Sequence, residues 1–171
     1  MLIRDILLER DVVLDVVAPD KAAVLTRAAT LLARAAEIDP QIVGDALVAR
    51  EQAGSTGFGA GVAIPHAFID GISAPSACFL RLGRPVSYDA IDDRPVDLAF
   101  GLLWPKHDSR GFLPGLAQIA RVMRSARTRK LLRSAPTSAA ALAYLDQKAE
   151  ARTQQMEDVR LTGHDLYLQY A

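Results

Sequence analysis

The sequence is almost without cysteine: Cys78 is the single one in 171 residues. A lone thiol cannot build a disulfide or a thiolate zinc cluster within one chain, and a reducing compartment suits it. Its place in the apolar run SACFLRL reads as a small buried hydrophobe. Histidine is scarce too. His66, His107 and His164 lie far apart and without the spacing of a helical ligand pair, so no metal site and no cofactor is expected. Neither sign of charge is in excess, since 20 basic residues balance 20 acidic ones, and sequence-independent binding to nucleic acid is therefore not expected. Nor does any stretch approach the roughly 20 apolar residues that span a bilayer. The start, MLIRDILLERD, mixes charge with apolar residues too early for a secretory signal. A protein that is cytoplasmic and not membrane-embedded is the expectation.

Half of the residues are hydrophobic and about a quarter charged, which suits one globular domain with a sizeable core. DVVLDVV at 11–17 reads as a strand. From Asp20 to Ala36, the positions Val24, Ala28, Leu31, Leu32 and Ala35 keep helical spacing behind a Pro19–Asp20 start signal. Asp39 and Pro40 open a second helix that ends before Gly54, leaving Arg50 and Glu51 near its carboxyl end. VAIPH, SACFLRL and VDLAFGLLW read as three strands separated by glycine and proline. After the loop-like KHDSRG, helical spacing returns through Leu113, Leu116, Ile119, Ala120 and Met123, with Pro114 acceptable in a first turn. Two more helices follow, about Ala126 to Arg133 and Thr137 to Lys148. The order β-α-α-β-β-β-α-α-α predicts an α/β (α+β) fold, a three-layer α/β/α sandwich with a mixed central sheet. Residues 1–147 form the domain, and the polar 148–171 read as an extension, a tail or a loosely docked helix.

The densest chemistry lies in GSTGFGAGVAIPH, residues 54–66. A Walker loop would need a lysine and a hydroxyl after its last glycine, yet Gly59 is followed by Ala60 and Gly61. A dinucleotide fingerprint would need a glycine at Val62 and a strand before the loop rather than a helix. No serine sits on a nucleophile elbow. What stands together is an imidazole behind a conformation-fixing proline, two hydroxyls at Ser55 and Thr56, glycine backbone, and the guanidinium of Arg50. Those groups suit phosphoryl transfer to a histidine nitrogen, with Arg50 on the phosphoryl oxygens. The residues alone leave open the plainer reading, an ordinary half-buried histidine at a strand end. The basic stretch from Arg121 through Arg124, Arg127, Arg129 and Lys130 to Arg133 reads as a solvated helical face before it reads as a docking site for an acidic partner. Asp89, Asp92 and Asp93 read as turn residues, and Trp104 as a core or rim residue at a strand end.

The pair RE at 50–51, the run at 54–66 and the block VSYDAIDDRPVDLAFGLLWP at 86–105 resemble the enzyme IIA domains of the bacterial phosphotransferase system. The fructose and mannitol type matches over roughly residues 1–147, with its nitrogen-regulatory branch the nearest in pattern. The resemblance implies that His66 is a phosphoacceptor served by a histidine-phosphorylated HPr-like carrier, and that Nε2 reacts. It makes Arg50 the active-site arginine and Ser55 and Thr56 the lining of the phosphate pocket. The chain departs from the pattern at Phe112, where the family commonly carries a second histidine; His107, five residues earlier, is the alternative donor. No IIB-like cysteine motif or sugar-transporting membrane segment occurs in the sequence, so regulation through phosphorylation-dependent protein binding is expected. Metabolic phosphate carriage to a IIB domain and a phosphotransfer-impaired interaction module are the rivals. Implied regulated partners include a sensor kinase or a potassium transporter, and nothing in the residues selects between them.

Overall fold

A computed structural model describes residues 3–146. Short 3-10 turns at Ile3–Asp5 and Glu9–Asp11 lead into β1 (Val12–Val16), followed by helices α1 (Lys21–Ala36) and α2 (Pro40–Gln52). Both helix starts follow from local chemistry. The Asp20 carboxylate accepts from the Ala23 N–H at 2.8 Å and the Asp39 carboxylate from the Gln41 N–H at 2.8 Å, while Pro40 occupies a first-turn position whose N–H is not needed.

The central strands are β2 (Gly57–Gly59), β3 (Val62–Ala63), β4 (His66–Ile69), β5 (Ser76–Val86) and β6 (Val96–Pro105). They run β1-β5-β6-β3-β2, with β4 also on β6. β1 is parallel to β5, β5 antiparallel to β6, and β3 and β4 both parallel to β6, so the sheet is mixed as expected. Two details correct the sequence reading. The small-residue stretch at 57–59, read as loop, forms a strand antiparallel to β3. VAIPH is not one strand ending at His66: β3 and β4 hold the same register on β6, Val62 opposite Leu98 and His66 opposite Leu102. Pro65 has no N–H to donate and keeps only its carbonyl, which accepts from the Leu102 N–H at 3.0 Å. His66 therefore opens a strand.

Alternation along β6 builds the layers. Leu98, Phe100, Leu102 and Trp104 face one core, while Ala99 and Leu103 face the other. The second core is closed by α1 and α2. The first is closed by α3 (Ser109–Arg124), α4 (Ala126–Arg133) and a helix α5 over 138–146. Each fully buried leucine or phenylalanine contributes roughly 1.5–3 kcal/mol relative to exposure. Gly101 lets α1 approach the sheet: a Cβ there would lie 2.6 Å from Cys78 Sγ and 3.2 Å from Leu32 Cδ1. Cys78 is fully buried, and desolvation pushes its thiol up to about 12.

Beyond β6 the structure is more helical than KHDSRG suggested. A 3-10 turn at Lys106–Asp108 runs directly into α3, so Pro114 lies in the second turn and withholds a donor from the Arg110 carbonyl. Ser125 ends α3 and caps α4, accepting from the Thr128 N–H at 3.3 Å. Residues 147 and 148 of the last expected helix, the extension 148–171 and His164 lie outside the described residues.

Candidate functional site

His66 and Arg50, 16 residues apart in sequence, meet where the end of α2 crosses the start of β4. Arg50 Nε donates to His66 Nε2 at 3.0 Å, and His66 Nδ1 lies 2.8 Å from the Ile64 carbonyl oxygen. A carbonyl only accepts, so the proton sits on Nδ1. A guanidinium only donates, so the lone pair sits on Nε2. Burial lowers the His66 pKa; the Ile64 carbonyl opposes this and the Arg50 charge adds to it. The ring is a neutral imidazole at pH 7 with its basic lone pair on Nε2, and it is 9% exposed.

Arg50 is held in place by its other end, Nη1 donating to the Gly54 carbonyl at 2.9 Å. Gly54 takes φ of 151°, a conformation that L side chains rarely adopt, and this sharp turn brings the loop back across the end of α2. The two loop hydroxyls face the scaffold. Ser55 Oγ donates to the Tyr88 carbonyl at 2.8 Å and accepts from the Gly57 N–H at 3.1 Å. Thr56 Oγ1 donates to the Glu51 carboxylate, which also accepts from the Thr56 N–H at 3.0 and 3.2 Å.

Glu51, which the sequence reading placed beside Arg50 without giving it a role, and Lys21, which it did not mention, lie behind the loop. Glu51 is buried, and Lys21 Nζ lies 3.2 Å from its carboxylate and 2.6 Å from that of Asp89. Burial alone would lower the Lys21 pKa, but its bonds to Asp89 and Glu51 outweigh this and raise it. The signal available was the RE pair itself; the partners are 30 and 68 residues from Lys21 in sequence and leave no local pattern. Asp89 and Asp93 both adopt positive φ, as turn residues do, and Asp92 accepts from the Ala60 N–H at 2.8 Å.

On the other side of the imidazole stands an aromatic group. The Phe112 ring centroid is 5.4 Å from that of His66, 4.5 Å from Phe68 and 5.9 Å from Trp104. Trp104 is buried, with Nε1 donating to the Asp108 carbonyl at 2.6 Å. His107 is exposed in the preceding 3-10 turn, and among the described residues no hydrogen bond, ion pair or ring contact joins it to His66. Several of the basic residues of α3 and α4 have structural partners. Arg129 caps the Met123 and Arg124 carbonyls, Arg133 pairs with Asp97 at 2.6 Å, and Arg124 lies over Phe58.

The family model described as phosphoenolpyruvate-dependent sugar phosphotransferase system, EIIA 2, matches residues 5–148. The chain belongs to this family. It is 47% identical over 121 residues to a nitrogen regulatory protein of Pseudomonas aeruginosa, covering 70% of this chain and 79% of that protein. To the nitrogen regulatory protein of Escherichia coli it is 39% identical over 92 residues, 53% of this chain and 56% of that one. Among solved structures, the nitrogen regulatory protein IIA-Ntr from Neisseria meningitidis superposes with a TM-score of 0.79 at 34% identity, covering 82% of this chain and 97% of that chain. The IIA mannitol crystal structure from Escherichia coli shares the fold alone, with a TM-score of 0.67 at 17% identity over 79% of this chain and 95% of that one. Among the described residues, no helix of this IIA-family chain is long and apolar enough to cross a membrane.

Proposed function

We propose that this IIA-family chain is a regulatory phosphoacceptor, taking a phosphoryl group on His66 Nε2 from a histidine-phosphorylated HPr-like carrier. The observation that carries the reading is the pair of bonds on the imidazole, Nδ1–H to the Ile64 carbonyl and Nε2 from Arg50. The Nε2 lone pair forms the new N–P bond as the bond from phosphorus to the donor's imidazole breaks, its electron pair remaining on the donor ring. The Nδ1 proton stays in place, and the Ile64 carbonyl stabilises the positive charge that develops over the ring. Arg50 must leave the lone pair for attack to occur. Its Nη1 remains on Gly54 while Nε and the other nitrogen turn to the phosphoryl oxygens, a displacement of side chain only. Ser55 and Thr56 shape the loop backbone around that position. Phe68, 36% exposed beside Phe112, gives the donor an apolar rim to dock against.

Phosphorylation adds about −1.5 to −2 charge, by analogy with phosphorylated hydroxyls, to a chain with no net charge of its own. That change is what a downstream protein would read, and the nitrogen regulatory names of its relatives support regulation over sugar uptake. Phe112 favours one competing reading, an interaction module with impaired transfer, because a phenyl ring offers the phosphoryl oxygens no donor. Incubation with a phosphorylated HPr-like protein separates the two. The proposal expects acid-labile label on the wild type and none on His66→Ala; an unlabelled wild type supports the impaired module. Rapid passage of the label to a IIB domain would instead support metabolic carriage.

A further inference from the structure

The Glu51 carboxylate is buried at the end of α2, touches neither imidazole nitrogen, and yet begins a continuous hydrogen-bonded path to one of them. It accepts from the Thr56 N–H at 3.0 and 3.2 Å and from the Thr56 hydroxyl. The Thr56 carbonyl in turn accepts from the Ile64 N–H at 3.0 Å, and the Ile64 carbonyl accepts the His66 Nδ1–H at 2.8 Å. Thr56 and Ile64 each contribute both N–H and carbonyl to this path, which links the side chain of Glu51 to the Ile64 carbonyl. The same residue also reaches the second nitrogen. Its backbone carbonyl accepts from the Gly54 N–H at 3.2 Å, and the Gly54 carbonyl anchors the Arg50 guanidinium that donates to Nε2.

We propose that Glu51 is the positioning residue of this site, holding the loop from Gly54 to Thr56 so that His66 keeps its proton on Nδ1 and presents Nε2 as the free nitrogen. Lys21 balances the buried carboxylate at 3.2 Å and ties it to Asp89, so the hold extends from the start of α1 to the 89–93 turn. An acceptor is what the path requires at this position, because both Thr56 groups that reach it are donors. A carboxylate serves better than an amide here, since it takes two Thr56 donors and the Lys21 ammonium without presenting a donor of its own to any of them. The proposal rests on the phosphoacceptor reading for its consequence, faster transfer, but not for its structural content, the tautomer.

The test measures both, on the full chain. Imidazole nitrogen shifts by NMR report the tautomer of His66 in the unphosphorylated protein, with the His66→Ala spectrum assigning its signals. Initial rates of label uptake from a phosphorylated HPr-like donor, across donor concentrations, report kcat and KM separately. Wild type is expected to show one protonated nitrogen, Nδ1. Glu51→Ala is expected to populate the Nε2–H form and to lose about tenfold or more in kcat, with donor KM unchanged because the rim at Phe68 is untouched. Glu51→Gln keeps an acceptor for the Thr56 N–H and is expected to recover most of both. A folded Glu51→Ala with the wild-type tautomer overturns the proposal whatever its rate. Should Glu51→Ala not fold, Thr56→Val, which removes one donor from the carboxylate and keeps the N–H, is read for the same tautomer shift, and its absence overturns the proposal equally. An unlabelled wild type with the tautomer shift intact removes the phosphoacceptor reading and leaves the positioning role standing.

Discussion

Replacing Arg50 by alanine removes the only side chain that touches Nε2 among the described contacts, a single Nε–H donor at 3.0 Å, and leaves the Ile64 carbonyl on Nδ1. Arg50 is half-buried and its other bond is to the Gly54 carbonyl, so the loss of stability is modest, about 0.5–1.5 kcal/mol. The rate should fall far more. Removing one donor from a site where charge develops costs about 2.7–4 kcal/mol, or roughly 10²- to 10³-fold, and Phe112 supplies no second donor to share that burden. A second effect has a definite sign. Burial is the main cause of the lowered His66 pKa and the Arg50 charge adds to it, so the variant's imidazole protonates at higher pH than the wild type's. Only the neutral ring carries a lone pair on Nε2, so both rates decline as pH falls through the folded pKa, and the variant declines first. Quench-flow label uptake from a phosphorylated HPr-like donor, taken from alkaline buffer to below the ordinary value of 6.5, should show a deficit that widens in acid. A deficit under about tenfold, or a midpoint shifted toward lower pH in the variant, would refute the role given to Arg50.

Phe112→His should introduce a donor beside the imidazole and speed phosphoryl uptake by about tenfold or lengthen the life of the phosphorylated form, while costing about 1–3 kcal/mol for a polar ring placed among Phe68 and Trp104; unchanged kinetics with an intact fold would contradict this. Gly101→Ala should destabilise by about 1–3 kcal/mol, since the new methyl meets Cys78 Sγ at 2.6 Å. Chemical denaturation of the Gly101→Ala, Cys78→Ala double variant should return part of that loss, and strict additivity would argue against the contact.

What was legible in the sequence was local. Asp39 and Pro40 mark the start of α2 because cap and first-turn chemistry act within three residues, and α4 has the bounds expected of it, Ala126–Arg133. Interactions across the fold were not legible. The Lys21–Glu51 and Lys21–Asp89 pairs depend on how α1 meets α2 and the 87–95 loop, and no spacing rule connects them. β2 escaped notice because Gly-Phe-Gly has little intrinsic strand preference and is held in place by its pairing with β3. Pro65 was read as a residue that fixes the backbone before His66, but its larger effect is to divide the strand and make His66 the first residue of β4. The basic stretch is a solvated face as read, with Arg121, Arg124, Arg127, Lys130 and Arg133 exposed, but its partners were not legible: Arg129 caps the Met123 and Arg124 carbonyls and Arg133 pairs with Asp97 once α3 and α4 are folded. The grouping of His66 with Arg50 and the glycine-rich loop was legible, and Arg50 does lie against both His66 and Gly54. What the sequence could not assign was which imidazole nitrogen carries the proton, because the Ile64 carbonyl and the Arg50 guanidinium define it only in three dimensions.

Everything proposed for this site turns on whether His66 takes a phosphoryl group on Nε2. The most direct measurement is phosphorus and nitrogen NMR of the full chain after incubation with a phosphorylated HPr-like donor, with His66→Ala as control. An acid-labile N–P species coupled to Nε2 of His66 and no signal from the control are expected. A phosphoryl group on Nδ1, a signal undiminished in His66→Ala, or no phosphorylated species at all would contradict the proposal.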